Sequence, residues 1–172
     1  MAGSLIKIDE EIVTSAVASV TLTGIDSTYD VYMVRVSNLQ CDTDVKDVKC
    51  RVTKSGTPNT TANYDRASKL LSAGNPFANV SATNETSWDM TTNIGTATGE
   101  SANFIMYVFN ANNSSEYTFV TVEVAELNST PELLGYQGGA VFTSTSTVNG
   151  LQYFMNSGNI DNGSFVLYGL KK

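Results

Sequence analysis

The chain of 172 residues contains no histidine, and this absence excludes several kinds of site. Without imidazole there is no Ser-His-Asp or Cys-His catalytic group and no histidine ligand for zinc. There is also no side chain whose ordinary pKa lies near neutrality. The remaining glycosidase-type candidates are the carboxylates of Asp65, Glu85 and Asp89, but loop and salt-bridge roles are far commoner for such acids. We therefore predict that the protein is not an enzyme, with no catalytic residues and no cofactor.

Charge is also scarce, since only 16% of the residues are charged. The net charge is −7, and the 10 Lys and Arg residues form no dense cluster of the kind that phosphate contacts need. No run of eighteen apolar residues is present, and the first fifteen residues lack the charged-then-apolar order of a signal peptide. The sequence predicts a protein made as a soluble cytoplasmic chain, with neither a nucleic-acid nor a membrane partner.

Only two cysteines occur, Cys41 and Cys50, near the two ends of one predicted connection. A disulfide across the neck of that connection is geometrically possible. Two cysteines without a signal peptide do not form a disulfide framework, so the favoured interpretation is a pair of small, half-buried thiols.

The connection between these cysteines holds the densest acidic cluster, which includes Asp42 and Asp44. Carboxylates at short spacing are ligands for a hard cation such as Ca²⁺. The cluster lacks the glycine and the closing glutamate of an EF-hand loop, so the sequence favours a solvated loop and no metal site.

The clearest structural pattern is YDVYMVRVSNL, Tyr29–Leu39. Its β-branched and aromatic residues alternate between two faces, without Pro or Gly, which predicts a central strand. A turn signal precedes it, and the segment 48–53 is predicted as its hairpin partner.

Further strand patterns follow in the second half of the chain. Residues 104–109 are apolar on both faces, which predicts a strand between two layers, and residues 117–124 return from it as a hairpin with Glu123 on the outer face. Three glycine-punctuated strands complete the chain between residues 133 and 172. About eight strands at this spacing predict an all-β fold, an antiparallel sandwich of the jelly-roll type.

Two segments stand outside this pattern. Residues 55–90 have weak periodicity and four Gly or Pro residues, which predicts a long irregular insertion anchored by Phe77 and Trp88. Two roles stay equally open for Trp88: stacking on a sugar or a partner, and a buried lid over one end of the sandwich. Residues 1–11 read as an N-terminal arm that lies along a neighbouring subunit or along the edge of its own sheet. The predicted organisation is therefore an arm, 1–11, and a single domain, 12–172.

Three stretches resemble small β-sandwich virion proteins of tailed bacteriophages, marine and cyanobacterial ones especially. They are TGIDSTYDVYMVRVSNL (Thr23–Leu39), GTPNTTANYDRAS (Gly56–Ser68) and the terminal GSFVLYGLKK (Gly163–Lys172). The shared pattern runs nearly end to end and consists mostly of strand and turn residues. The resemblance implies a homotrimeric virion protein, placed either on the capsid or in the tail.

Two functions follow from the resemblance. The first is a capsid decoration, or cement, protein that binds the major capsid protein through Leu5, Ile6 and Ile8 of the arm and through Phe77 and Trp88.

The second function is a tail-fibre module that recognises host glycans by stacking sugars on aromatic side chains. The candidate platforms for stacking are Tyr64, Trp88 and Tyr136.

Overall fold

The computed structural model describes residues 4–171, and within this range the chain forms thirteen β-strands and no helix. The strands are β1 Ser4–Val13, β2 Ser19–Thr23, β3 Val31–Cys41, β4 Val48–Lys54, β5 Thr57–Pro58, β6 Tyr64–Ser72, β7 Ala78–Glu85, β8 Trp88–Asp89, β9 Ala102–Phe109, β10 Thr118–Leu127, β11 Leu133–Phe142, β12 Gly150–Met155 and β13 Ile160–Lys171. No helix within the described range is long and apolar enough to cross a membrane.

The strands form two antiparallel sheets that pack as a sandwich, which confirms the predicted fold class. The larger sheet has eight strands in the order β1-β13-β3-β9-β10-β11-β6-β7. The smaller sheet has the order β2-β12-β4-β5, and β8 also pairs with β4. The chain crosses repeatedly between the sheets, so residues that are distant in sequence meet in the core.

The core lies between the sheets and is rich in aromatic side chains. The largest fully buried aromatic residues are Trp88, Tyr32, Tyr64, Tyr153, Phe142 and Phe165. Tyr153 of the smaller sheet packs against Phe104 and Phe165 of the larger one, with ring centroids 6.0 Å and 5.5 Å apart. Such pairs join the two layers directly.

The predicted central strand is confirmed as β3, which lies inside the larger sheet between β13 and β9. Tyr32, Val34 and Val36 face the core, and Arg35 is exposed on the other side. The predicted hairpin between β3 and β4 is wrong, because these two strands belong to different sheets. A short polar connection fits an arch between two sheets as well as a hairpin within one, and the sequence pattern does not distinguish them.

The two cysteines lie on β3 and β4, in different sheets. Cys41 and Cys50 are both buried and free, as the sequence favoured. Burial raises the pKa of the Cys41 thiol to about 11 and that of the Cys50 thiol to about 12, so both remain protonated at neutral pH.

Residues 55–90 are not an irregular insertion, and the count of about eight strands was too low. This segment contains β5 to β8, and β6 and β7 form a hairpin at one edge of the larger sheet. The pattern was missed because β7 is an edge strand whose side chains are mostly exposed, so apolar and polar residues do not alternate along it.

Residues 4–11 of the predicted arm are part of the sandwich, and residues 1–3 lie outside the described range. β1 pairs antiparallel with β13 along its whole length and forms the other edge of the larger sheet. Of the two positions that the sequence allowed for the arm, the structure shows the edge of its own sheet.

The residues that lead into β3, in the stretch Thr23–Leu39, have a structural role. The Tyr32 hydroxyl donates to the Asp26 carbonyl oxygen at 2.6 Å and accepts from the Asp26 N–H at 2.9 Å, which fixes the turn before the strand. The Tyr29 ring covers Gly169, where an added Cβ would lie 2.3 Å from the ring. The stretch Thr23–Leu39 is therefore in direct contact with the C-terminal stretch that begins at Gly163.

Candidate docking surface on the outer sheet

The outer face of the larger sheet carries apolar side chains that the sandwich does not bury. In β9 the residues Phe104, Met106 and Val108 face the core, whereas Ile105 and Tyr107 alternate to the outside. Ile105 is 40% exposed and Tyr107 is 36% exposed. The sequence prediction that β9 is covered on both faces is therefore wrong for its outer face.

β10 extends this surface. Its inner face is formed by Val120, Val122 and Val124, as predicted, and its outer face carries Phe119, which is 47% exposed. In the sheet register Tyr107 lies opposite Thr121, two residues from Phe119 on the same face. We call Ile105, Tyr107 and Phe119 the outer apolar patch.

A shallow groove adjoins the patch because β11 has a glycine on the outer face. Gly139 lies between Thr121 of β10 and Ala67 of β6, and none of the three has a large side chain. The groove has a volume of about 620 Å³, and Phe119 and Val141 also line it. Larger side chains in this row would fill the groove.

The neighbouring Gly138 is required by packing. A Cβ built at Gly138 would lie 2.4 Å from the carbonyl oxygen of Ala67, so a side chain there would force β6 and β11 apart. This contact accounts for the glycine pair in the middle of β11.

Two charged groups flank the patch at Ile105. Ile105 lies in one cross-strand row between Arg35 of β3 and Glu123 of β10, and Glu123 accepts a hydrogen bond from Gln137 at 3.1 Å. An apolar centre with a polar rim is the usual arrangement of a protein contact surface.

The comparisons with known proteins leave the family open. No protein-family model and no curated protein matches the chain. Among solved structures, the chain is similar to a fructofuranosidase from Schwanniomyces occidentalis complexed with fructosylnystose, with a TM-score of 0.28 and 8% sequence identity. The match covers 98% of this chain and 34% of that chain, so this chain spans about a third of that protein. A similarity of this size supports no conclusion about activity.

The predicted stacking residues are not available to a ligand. Tyr64 and Trp88 are buried in the core, where their rings meet edge to face at 5.1 Å. The Tyr64 hydroxyl donates to the Asn59 carbonyl oxygen at 2.8 Å, and Trp88 Nε1 donates to the Val141 carbonyl oxygen at 3.3 Å. Tyr136 is 7% exposed. The prediction that these three rings form a glycan platform is wrong, because the core uses them.

The predicted partner-binding residues are divided among several surfaces. Leu5 and Ile6 are exposed on β1, whereas Ile8 is half-buried and packs against the core. Phe77 is 66% exposed in the β6–β7 turn, far more than the buried Trp88. Trp88 therefore cannot share a binding surface with Phe77, and its predicted partner contact is wrong.

Sequence reasoning placed the Phe119 face of β10 on the outside but missed the exposure of Ile105 and Tyr107, so it did not identify the outer apolar patch. The signal was present as two-sided apolar character in β9, but a strand buried on both faces gives the same pattern. Only the sheet order reveals that no further layer covers this side in the described part of the chain.

The acidic loop after β3 is held by its own hydrogen bonds. The Asp42 carboxylate accepts from the Asn159 backbone N–H at 2.8 Å, from Asn159 Nδ2 at 2.7 Å and from Thr43 Oγ1 at 2.8 Å. These hydrogen bonds, led by that from the Asn159 backbone, lower the pKa of Asp42. No group of three possible metal ligands occurs among residues 4–171.

Two of the three acids considered for glycan cleavage have structural contacts, and the third, Glu85, is exposed at the end of β7. Asp89 forms ion pairs with Lys49 and with Arg66, the latter at 2.8 Å. Asp65 Oδ1 accepts from the Asn84 N–H at 2.7 Å and so fixes the β6–β7 hairpin.

The Glu126 carboxylate is buried and has no ion pair among residues 4–171. Glu126 lies near the C-terminal end of β10 and is 2% exposed. Its Oε1 accepts from the Thr92 N–H at 3.0 Å, and its Oε2 has no hydrogen-bond partner in the described range. Burial raises the pKa of Glu126 to about 8, and the Asp47 charge adds to the rise.

Proposed function

We propose that this protein is a bacteriophage virion structural protein, a capsid decoration protein that binds the major capsid protein and stabilises the outer capsid. The observation that carries the proposal is the outer apolar patch, Ile105, Tyr107 and Phe119, on a sheet whose other apolar side chains mostly face the core. The resemblance of the strand and turn motifs to phage virion proteins supports the same conclusion.

The proposed mechanism is mechanical. A surface that is buried only on the assembled capsid adds its binding free energy to the stability of the shell. The mixed rim of Arg35 and Glu123 and the net charge of −7 suit a protein partner rather than a nucleic acid. The proposed location is the virion, after synthesis in the host cytoplasm.

The outer patch gives a testable docking residue. Phe119→Asp places a carboxylate at the centre of the proposed contact, and we expect capsid affinity to fall by roughly thirtyfold, the effect of losing a hot-spot residue. Binding would be measured by co-sedimentation of purified protein with undecorated capsids, and circular dichroism would verify the fold.

Phe77→Asp is the matched control, because Phe77 is also an exposed phenylalanine but lies in the β6–β7 turn. It should bind capsids as the wild type does. If Phe77→Asp abolishes binding and Phe119→Asp does not, the contact surface is the turn and the outer patch is not involved.

The groove beside Phe119 favours a second candidate, a tail-fibre module that binds host glycans. Phe119 is an exposed ring beside a groove that Ser81, Thr83 and Thr121 also line, and rings beside hydroxyl groups suit sugar stacking. A glycan array separates the two functions: selective glycan binding that Phe119→Ala removes supports the fibre, and a blank array supports the capsid role.

A further inference from the structure

β1 is a terminal strand of the larger sheet, and β13 is its only strand partner in the described chain. Its outer edge is occupied at one place, where the Asp9 carboxylate accepts from the Glu10 N–H at 2.9 Å and from the Thr23 N–H of β2 at 2.7 Å. A free strand edge presents backbone N–H and C=O groups that can pair with another strand. Two of its side chains, Leu5 and Ile12, are 50% and 64% exposed.

A bulge gives β1 an unusual pattern of side chains. Lys7 lies opposite Tyr168 and Asp9 lies opposite Leu167, so Ile8 is an extra residue in β1 that has no partner in β13. The side chains before and after the bulge that share the outer face are Leu5, Lys7, Glu10 and Ile12, opposite Leu170, Tyr168, Val166 and Ser164 of β13. The Lys7–Glu10 ion pair at 2.7 Å agrees with this shared face.

Along the strand this face carries an apolar residue, a cation, an anion and a second apolar residue. A second copy that runs antiparallel therefore places an apolar residue opposite each apolar residue and an opposite charge opposite each charge. We propose that β1 pairs antiparallel with β1 of a second copy of this chain, about a twofold axis between residues 8 and 9. Leu5 then lies opposite Ile12 of the second copy, and Lys7 lies opposite Glu10 of the second copy. The twofold axis repeats each pair, giving two apolar pairs and two ion pairs.

The register is specific because of the bulge. A shift by one residue in either direction would place outer-face side chains opposite inner-face ones. In the proposed register the two bulges meet at the axis, and the two larger sheets join into one continuous sheet. The pairing does not depend on the proposed function, and it gives a dimer rather than the trimer that the family resemblance implies.

Charge reversal tests the pairing. The wild type is expected to sediment as a dimer with twice the 18.4 kDa mass of one chain. Lys7→Glu and Glu10→Lys each place like charges in both ion pairs, so each variant should raise the dimer dissociation constant by at least about tenfold. Lys69→Glu is the control, because Lys69 is exposed on β6 near the opposite edge of the same sheet.

Mixing the two variants separates pairing between chains from the ion pair within each chain. In the mixture, position 7 of one variant and position 10 of the other carry opposite charges across the axis, whereas positions 7 and 10 within each chain still repel. We expect the equimolar mixture to form heterodimers, detectable by native mass spectrometry when one variant is uniformly labelled with nitrogen-15 so that the two chains differ clearly in mass.

Several results would overturn the proposal. They are a monomeric or trimeric wild type, a Lys7→Glu dimer as tight as the wild type, and a mixture that stays monomeric. Should a charge variant fail to fold, cysteines introduced together as Leu5→Cys and Ile12→Cys provide a second measurement. Oxidation should link two chains covalently, and failure to link them counts against the pairing.

Discussion

Trp88→Ala is expected to lower the free energy of unfolding by about 3–5 kcal/mol, the usual cost of truncating a large buried aromatic side chain. Trp88 is 1% exposed, packs edge to face on Tyr64, and donates to the Val141 carbonyl oxygen. The substitution removes the ring contacts and leaves that carbonyl without its indole donor. Urea unfolding followed by circular dichroism measures the change, because Trp88 is the single tryptophan and its fluorescence is lost.

The control is Phe77→Ala, which removes a 66% exposed ring and should change the free energy of unfolding by less than about 0.5 kcal/mol. A loss below about 1 kcal/mol for Trp88→Ala would contradict the placement of Trp88 in the core. It would restore the interpretation of Trp88 as a partner-binding residue.

Glu126→Gln is expected to change how stability depends on pH. The pKa of Glu126 is about 8 in the folded chain, against 4.5 for an ordinary glutamate side chain. Between these values the folded protein holds a proton that the unfolded chain releases, so the stability of the wild type falls as pH rises. The full loss is roughly 4–5 kcal/mol above pH 8, and none of it is present below about pH 4.5.

The absence of histidine makes this dependence measurable, because no imidazole titrates in the same range. The groups near Glu126 are Asp47, whose charge adds to the rise in its pKa, and Tyr136, whose own pKa is raised mainly by burial. The charge of Arg66 lowers the pKa of Tyr136, whereas burial and the charges of Glu126 and Asp47 raise it.

Urea unfolding from pH 5 to pH 9 would compare the wild type with Glu126→Gln and with Glu123→Gln, an exposed acid on the same strand. We expect the stability of Glu126→Gln to change little up to about pH 8 and to exceed that of the wild type at pH 9. The raised pKa values of Cys41 and Cys50 lower the stability of all three proteins alike near pH 9. The Glu123→Gln profile should follow the wild type. Parallel profiles for all three proteins would contradict the raised pKa of Glu126.

The local pattern of the sequence was sufficient to predict several strands. The alternation around Tyr32, Val34 and Val36 predicted β3, and the valines of β10 predicted which face is buried. These predictions succeeded because burial of one face requires a period of two residues. They depend on no contact distant in sequence.

The arrangement of the strands could not be predicted in the same way. The pairing of β1 with β13 joins the two ends of the chain, and the separation of β3 from β4 depends on the direction of a short turn. Edge strands such as β7 lack the apolar period because little of their surface is buried. These features are set by long-range packing rather than by local sequence.

The candidate surface shows the same limit. The alternation of β10 placed Phe119 on the outer face with Glu123, as the structure shows, whereas the two-sided apolar pattern of β9 hid the exposure of Tyr107. Tyr64 and Trp88 lie in a segment without a clear period, and the sequence left Trp88 open between a partner contact and a buried lid; in the structure both rings belong to the core.

The proposed capsid role is tested most directly by the copy number of this chain in purified phage particles. Quantitative mass spectrometry would give its ratio to the major capsid protein. The decoration role predicts a ratio near one, or a simple fraction of one, set by the symmetry of the shell. A few copies per particle would place the chain in the tail, and its absence from the particle would contradict a virion role altogether.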